Sequence, residues 1–265
     1  MNEPVDRGAR VWRAGRGPVM VLLHGEFGDA PTYWRSIVGP VAERFDLILP
    51  DLPGFGESPP PADYRPLTYL LWLKQLVDAS SPCPPGSEAG AARHRVVLGG
   101  VGFGATLARL FAARYPARVS RLILSGGGSL GRPPRLRRIL SRIAPGAIGR
   151  GAWNGPRSPE DLFDDPNLYV DAEFRHGFER SRPAAERACR ACAEAPLPPN
   201  LTPVCTTLLL WGNEDRYCPL AVQQAIAGEI ADTRQVDIFE AGHLVTIEQP
   251  HRFSAHLLDF ASSKQ

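Results

Sequence analysis

The sequence predicts a doubly wound α/β fold, in which a mostly parallel sheet is packed between helices. Two observations predict it: short, nearly continuous runs of Val, Ile and Leu recur along the chain, and helical patterns fill several of the gaps between them. Such runs are typical of strands buried on both faces of a parallel sheet. At 265 residues and 43% hydrophobic content, the chain is long enough to bury a substantial core.

Six apolar runs are the candidate strands. They are PVMVLLHG (18–25), FDLILPDLPG (45–54), HRVVLGGV (94–101), RLILSGGG (121–128), TTLLLWGNED (206–215) and RQVDIFEAGH (234–243). Residues 67–79 have leucines at helical spacing, and residues 103–115 carry an apolar stripe that ends before Pro116. Strand and helix patterns therefore alternate, as in a doubly wound sheet.

Two segments interrupt this alternation. Residues 80–93 are rich in proline and small residues, which predicts a surface loop. Residues 129–200 contain helix-like pieces, many prolines and several exposed-looking aromatics, but no pattern typical of a buried strand. We therefore predict a helical cap at 129–200, inserted into a sheet domain formed by residues 1–128 and 201–265.

Charge and composition exclude several classes of partner. The 30 basic and 28 acidic residues leave a net charge of +2, so we expect neither nucleic acid nor a membrane as a partner. The beginning of the chain has no apolar segment of the signal-peptide type, and we expect a soluble, cytoplasmic protein that binds a small molecule.

One local excess of charge lies in the predicted cap. Residues 132–142 combine apolar positions with a basic face formed by Arg132, Arg135, Arg137, Arg138 and Arg142. The pattern predicts an amphipathic helix. Its basic face is either solvated or a contact site for an anionic substrate or an acidic carrier protein.

No metal or cofactor is predicted. The five cysteines form an odd set, as expected for reduced thiols. Cys189 and Cys192 make a C-x-x-C pattern without the second pair that a zinc site needs, so ordinary helix positions are the simpler interpretation. The glycines at 100–104 lack the spacing of a dinucleotide-binding loop.

Five motifs follow one another in chain order. They are LLHGEFG (22–28), DLPGFGES (51–58), the G-x-G-x-G turn at 100–104, LLLWGNED (208–215) and AGHLVTIEQP (241–250). Together they resemble the α/β-hydrolase superfamily, and specifically its capped branch that acts on small molecules. In that superfamily a serine stands at the centre of a sharp strand-to-helix turn, and an acid and a histidine follow later in the chain.

The resemblance implies roles for individual residues. It places the acid at Asp215, the base at His243 and the nucleophile position at Gly102, which has no side chain. It also implies an oxyanion hole formed by the backbone N–H groups of Phe103 and Glu26. Asp215 and His243 then act as a dyad, in which the carboxylate orients the ring. The alternative is a buried pair kept only for stability.

Glycine at position 102 has its own physical consequence. The turn forces a positive φ on its central residue, a conformation that glycine adopts without the strain of a side chain. Losing the nucleophile abolishes acyl-enzyme chemistry, so ordinary serine esterase action is the activity that this sequence most directly opposes.

Two acidic residues need separate interpretations. Glu26 points either towards the substrate, as a proton donor or acceptor opposite His243, or into water. Asp51 belongs to a D-x-x-G-x-G turn, which indicates a structural role.

The functional prediction is an enzyme in which the His243–Asp215 dyad acts as general base on a small, apolar or aromatic, carbonyl-containing substrate. Decarboxylation, cyclisation, other lyase reactions, C–C cleavage and direct hydrolysis by water all fit. The cap aromatics predict an apolar pocket: Trp153, Phe163, Tyr169, Phe174 and Phe178. Two alternatives stay open: a non-catalytic binding protein, and a serine hydrolase whose serine was deliberately changed to glycine.

Overall fold

A computed structural model describes residues 8–82, 94–127, 156, 158–194 and 202–263. Within these ranges seven strands form one sheet in the order β1-β3-β2-β4-β5-β6-β7. They are β1 (Val11–Ala14), β2 (Val19–Leu23), β3 (Asp46–Pro50), β4 (Val96–Val101), β5 (Val119–Ser125), β6 (Thr207–Gly212) and β7 (Thr233–Ile238). The doubly wound, mostly parallel sheet is confirmed, because only the pairing of β1 with β3 is antiparallel.

Nine α-helices connect or flank these strands in the described ranges. They are α1 (Ala30–Trp34), α2 (Val38–Ala42), α3 (Pro66–Ser80), α4 (Phe103–Arg114), α5 (Pro166–Tyr169), α6 (Ala172–Glu194), α7 (Leu220–Ala227), α8 (Val245–Glu248) and α9 (Pro250–Ser262). Short 3₁₀ turns at Pro116–Arg118 and Pro159–Leu162 complete the set. Each face of the sheet has its own apolar cluster, one built with α3, α4 and α6 and the other with α1 and α9.

The edges of the sheet depart from the sequence expectation. Strand β1 has only four residues of intermediate or high exposure, so it carries no apolar run that would reveal it. Strand β7 ends at Ile238, and most of its residues are not buried, because it lies at the other edge. The expectation that every run is buried on both faces was therefore wrong for the last one.

The predicted cap is described only in part. Residues 158–194 contain α5, α6 and the 3₁₀ turn at Pro159–Leu162, and no strand. Trp153, the basic segment 132–142 and most of the predicted loop 80–93 lie outside the described residues. The domain boundaries at 129 and 200 stay predictions.

The strand order determines where a site can form. The chain proceeds from β2 to β3 in one direction and from β4 to β7 in the other, so the order reverses between β2 and β4. The loops that leave the carboxyl ends of β2 and β4 meet at this crevice, which is where open α/β sheets bind ligands. Glu26 follows β2, and Gly102 follows β4.

Asp51 stabilises the turn after β3 through hydrogen bonds to its carboxylate. Its two carboxylate oxygens accept hydrogen bonds from the Ala30 and Glu57 backbone N–H groups at 2.8 and 2.9 Å, and the residue is 2% exposed. We expect Asp51→Ala to lower the free energy of unfolding by about 3 kcal/mol, since one buried and one partly buried N–H group lose a charged acceptor. Urea unfolding measures this, with Glu57→Ala on the same turn as control. An equal, small loss in both variants would contradict the structural role.

Candidate functional site

The turn at Gly102 joins β4 directly to α4. Gly102 has φ +53° and ψ −119°, a conformation that favours glycine. The turn is also crowded, because a Cβ on Gly104 would overlap the carbonyl oxygen of Leu23. Gly104 therefore follows from the close packing of the turn against β2, whereas a Cβ on Gly100 would overlap the backbone of Gly104.

Asp215 lies in the loop after β6 and His243 in the loop after β7, and their side chains contact each other. His243 Nδ1 lies 2.9 Å from Asp215 Oδ2, and both side chains are almost fully buried. His243 Nε2 has no hydrogen-bond partner among the described residues. Burial disfavours the charged ring, but the attraction of Asp215, together with Glu26 and Glu248, outweighs it and raises the pKa of His243.

Backbone hydrogen bonds fix both members of this pair. The His243 N–H donates to the Leu162 carbonyl at 2.8 Å, and the Cys218 N–H donates to Asp215 Oδ1 at 2.6 Å. Glu248 accepts from the Gly242 N–H at 2.7 Å, just before the histidine, and its burial raises its pKa to about 7. The imidazole is therefore held in one orientation, with Nε2 left available.

Glu26 points into the site. The residue is 4% exposed, and its Oε2 accepts the Phe103 N–H at 2.7 Å, at the N-terminus of α4. Its Oε1 accepts from the Tyr217 hydroxyl at 3.2 Å. Of the two orientations considered from the sequence, the structure has the inward one, because the helix N-terminus stabilises a negative group there.

The oxyanion hole expected from the resemblance is therefore occupied. The Phe103 N–H, expected to face a substrate, donates to Glu26. A Cβ built on Gly102 would overlap Glu26 Oε2, and it would lie 3.4 Å from His243 Nε2. The carboxylate thus fills the space in which a side chain at position 102 would begin.

Tyr217 is a site residue that sequence reasoning missed. Besides donating to Glu26, its ring packs edge-on against the His243 ring with centroids 4.8 Å apart. Burial, with the charge of Glu26 adding to it, raises the pKa of the phenol, which stays protonated. The available signal was its place in DRY (215–217), two residues after the predicted acid.

Three of the predicted pocket aromatics, Phe163, Phe174 and Phe178, are buried and Tyr169 is partly buried, and the four rings divide into two groups. Phe178 on α6 stacks on Phe27 at 5.3 Å, and Phe27 in turn contacts the His243 ring edge-on. Phe163 packs instead against Tyr169 and Phe174. These aromatics look exposed in the sequence, but their rings belong to the apolar cluster on one face of the sheet.

The cysteines offer no substitute nucleophile or metal site in the described part of the chain. Burial raises the pKa of the Cys218 thiol beside Asp215, so it stays protonated and unreactive. Cys189 and Cys192 lie on α6 as free thiols, and burial raises the pKa of Cys192 to about 12. No group of three metal-ligating side chains occurs among the described residues.

The mostly parallel seven-stranded sheet with helices on both faces, and the crevice at the reversal of its strand order, define the α/β-hydrolase class of fold. The chain belongs to the alpha/beta hydrolase family, whose sequence profile matches residues 20–256. None of the described helices is long and apolar enough to cross a bilayer.

Similar proteins agree with this assignment. Uncharacterised proteins of Mycobacterium tuberculosis and Mycobacterium bovis are 35% identical over 118 residues, which is 44% of this chain but only 31% of theirs. The 2-hydroxymuconate semialdehyde hydrolase of a Pseudomonas strain is 29% identical over 93% of this chain and 88% of its own. A thermophilic esterase from Thermogutta terrifontis superposes with a TM-score of 0.74 at 25% identity, over 96% of this chain and 92% of that one.

Proposed function

We propose that this chain is an enzyme that works without a seryl nucleophile, in which His243, oriented by Asp215, is the general base. The observation that carries the proposal is the free Nε2 of His243 beside the Gly102 turn, with Nδ1 held 2.9 Å from the Asp215 carboxylate. An imidazole so oriented takes a proton from water or from an acidic C–H or O–H group near neutral pH.

We propose a small carbonyl-containing substrate. The Pseudomonas relative is named for a semialdehyde, which supports a carbonyl compound of that size. The buried Phe27 ring beside His243, with Phe178 stacked on it, supports an apolar or aromatic substituent. Proton abstraction by His243 then leads to C–C cleavage, decarboxylation, cyclisation or direct hydrolysis. A cytoplasmic location and a carrier-protein contact at 132–142 stay predictions.

The contact between Glu26 and the Gly102 turn favours a natural glycine over an engineered one. A deliberate exchange of serine for glycine would leave the rest of the site suited to serine. Here an acidic side chain occupies the space above Gly102 and uses the Phe103 N–H. The two residues fit each other, as expected for a site that has adapted to lack a nucleophile at the turn.

The test is a panel of small β-diketones, β-keto acids and aryl ketones, assayed with the unmodified protein and with Asp215→Asn. We expect the variant to lose turnover by about 10²–10⁴, because the amide no longer orients the correct tautomer of the base. Glu214→Gln, at the exposed neighbouring position, is the matched control. Equal rates for Asp215→Asn and the unmodified protein would exclude the dyad as the base.

A further inference from the structure

Glu248 joins two segments that are far apart in the chain. Its Oε1 accepts the Asp164 N–H and its Oε2 accepts the Gly242 N–H, both at 2.7 Å. Asp164 follows the 3₁₀ turn in the described part of the predicted cap, and Gly242 directly precedes His243. One carboxylate, on a residue that is 6% exposed, therefore connects the predicted cap to the loop that carries the proposed base.

The backbones of these two segments are also in direct contact. We call residues 162–164 the cap turn and residues 241–244 the histidine loop. The Leu162 carbonyl accepts the His243 N–H at 2.8 Å, and a Cβ on Gly242 would lie 2.8 Å from a backbone nitrogen of the cap turn. Because this contact has no room for a side chain, a displacement of the cap turn also displaces the backbone of the histidine loop.

The ionised form of Glu248 suits this position. An ionised carboxyl group accepts hydrogen bonds at both oxygens, whereas a protonated carboxyl group or an amide carries hydrogen on one of the two terminal atoms. Burial raises the pKa of Glu248 to about 7, the nearby charge of Asp164 adds to this, and the backbone N–H groups only partly oppose it. Only the ionised form can therefore accept both N–H groups.

We propose that Glu248 is a positioning residue that couples the cap turn to the proposed base. While the cap turn is docked, the backbone of the histidine loop is fixed and the His243 ring keeps Nδ1 on Asp215. When the cap turn moves away, the loop loses its partner and the ring loses its single orientation. The coupling rests on the proposed function, in which His243 is the base, and it gives the predicted cap a part in holding that base.

Two other roles for Glu248 make different predictions. A carboxylate that only stabilises the fold would leave the contact between His243 and Asp215 intact when it is altered, because its own hydrogen bonds go to Asp164 and Gly242. A carboxylate that acts only through its charge, which helps to raise the pKa of His243, would be replaced successfully by aspartate. Aspartate keeps the charge but is shorter by one methylene group, which withdraws the carboxylate from both N–H groups.

The first experiment needs no substrate. The proton on His243 Nδ1 that faces Asp215 gives a low-field NMR signal, which is recorded well above pH 7, where Glu248 is ionised. We expect the signal to shift or broaden in both Glu248→Gln and Glu248→Asp. Glu240→Gln, which alters an exposed carboxyl group directly before the histidine loop, is the matched control. An unchanged signal in either Glu248 variant would overturn the proposal.

The second experiment uses native-state hydrogen exchange of the unmodified protein under increasing urea, which gives an opening constant for each amide. Separation of the cap turn from the histidine loop frees the Asp164 and His243 N–H groups in one event. We expect these two amides to share one opening constant, larger than that of the β4 amides. In Glu248→Gln it should rise about ten- to a hundredfold, the scale of one hydrogen bond to a charged group. Unequal constants, or constants equal to those of β4, would contradict the coupling.

Kinetics separate this proposal from the proposed function. For a carbonyl substrate that the unmodified protein turns over, we expect Glu248→Gln to lower kcat by up to about a hundredfold, the cost of a misplaced catalytic group, with little change in KM. If Asp215→Asn lowers turnover and Glu248→Gln does not, only the coupling proposal has failed. If neither variant lowers turnover while the NMR signal still moves in Glu248→Gln, the proposed function has failed and the coupling stands.

Discussion

Replacing His243 with alanine is expected to lower turnover of the accepted carbonyl substrate by about 10²–10⁴, the contribution typical of a positioned general base. The expectation follows from the buried ring, whose Nδ1 is held by Asp215 and whose Nε2 has no partner in the described structure. Ligand affinity should change only a few fold, because the stacked Phe27 and Phe178 rings are unaltered by the exchange. Progress curves give the turnover, and calorimetric titration with product gives the affinity.

The same variant separates catalysis from simple binding. A non-catalytic binding protein would show no turnover before or after the exchange and would keep its ligand. The control is His176→Ala, because His176 is exposed on α6. Equal turnover in His243→Ala and His176→Ala would contradict the role of base. A large loss of unfolding free energy with no effect on rate would favour a buried pair kept for stability.

Gly102→Ser is expected to give esterase activity only when it is combined with Glu26→Ala. Alone, the serine adopts φ near +53° and displaces the Glu26 carboxylate, which should cost on the order of 1–3 kcal/mol of unfolding free energy. Esterase activity should stay near background. With Glu26→Ala the space is free and the Phe103 N–H loses its acceptor, so hydrolysis of p-nitrophenyl acetate should appear.

Gly102→Ala/Glu26→Ala is the matched control for the serine pair. It has the same space and the same strained backbone, but no hydroxyl. If the serine pair is no faster than the alanine pair, His243 Nε2 does not reach a side chain at position 102, and the inferred position of the base is wrong. Urea unfolding of the unmodified protein and of the three variants separates strain at the turn from the loss of the Glu26 contacts.

Much of the fold follows from local patterns. Burial on both faces requires apolar residues at successive positions of a strand. The sequence therefore reveals strands β2, β3, β4, β5 and β6. Strand β1 has no such run, because an edge strand buries little and its place is determined by antiparallel pairing with β3.

The site likewise contains residues that local motifs indicate and residues that only long-range contacts reveal. The resemblance implies a turn, an acid and a base in this chain order, so the motifs indicated Gly102, Asp215 and His243 as candidates. The bond between Glu26 and the Phe103 N–H joins residues 77 positions apart, and no local pattern encodes such a contact. Tyr217 was missed for the same reason, since its importance lies in touching Glu26 and His243 together.

The short loop after β6 carries both Asp215 and Tyr217. One residue orients the histidine, and the other holds Glu26. A displacement of this loop by an insertion, a crosslink or a bound inhibitor would therefore disturb the proposed base, His243, and Glu26 at once. An inhibitor that binds this loop would therefore affect both His243 and Glu26. Changes to the loop that are meant to alter substrate selectivity would also alter the reactivity of these two side chains.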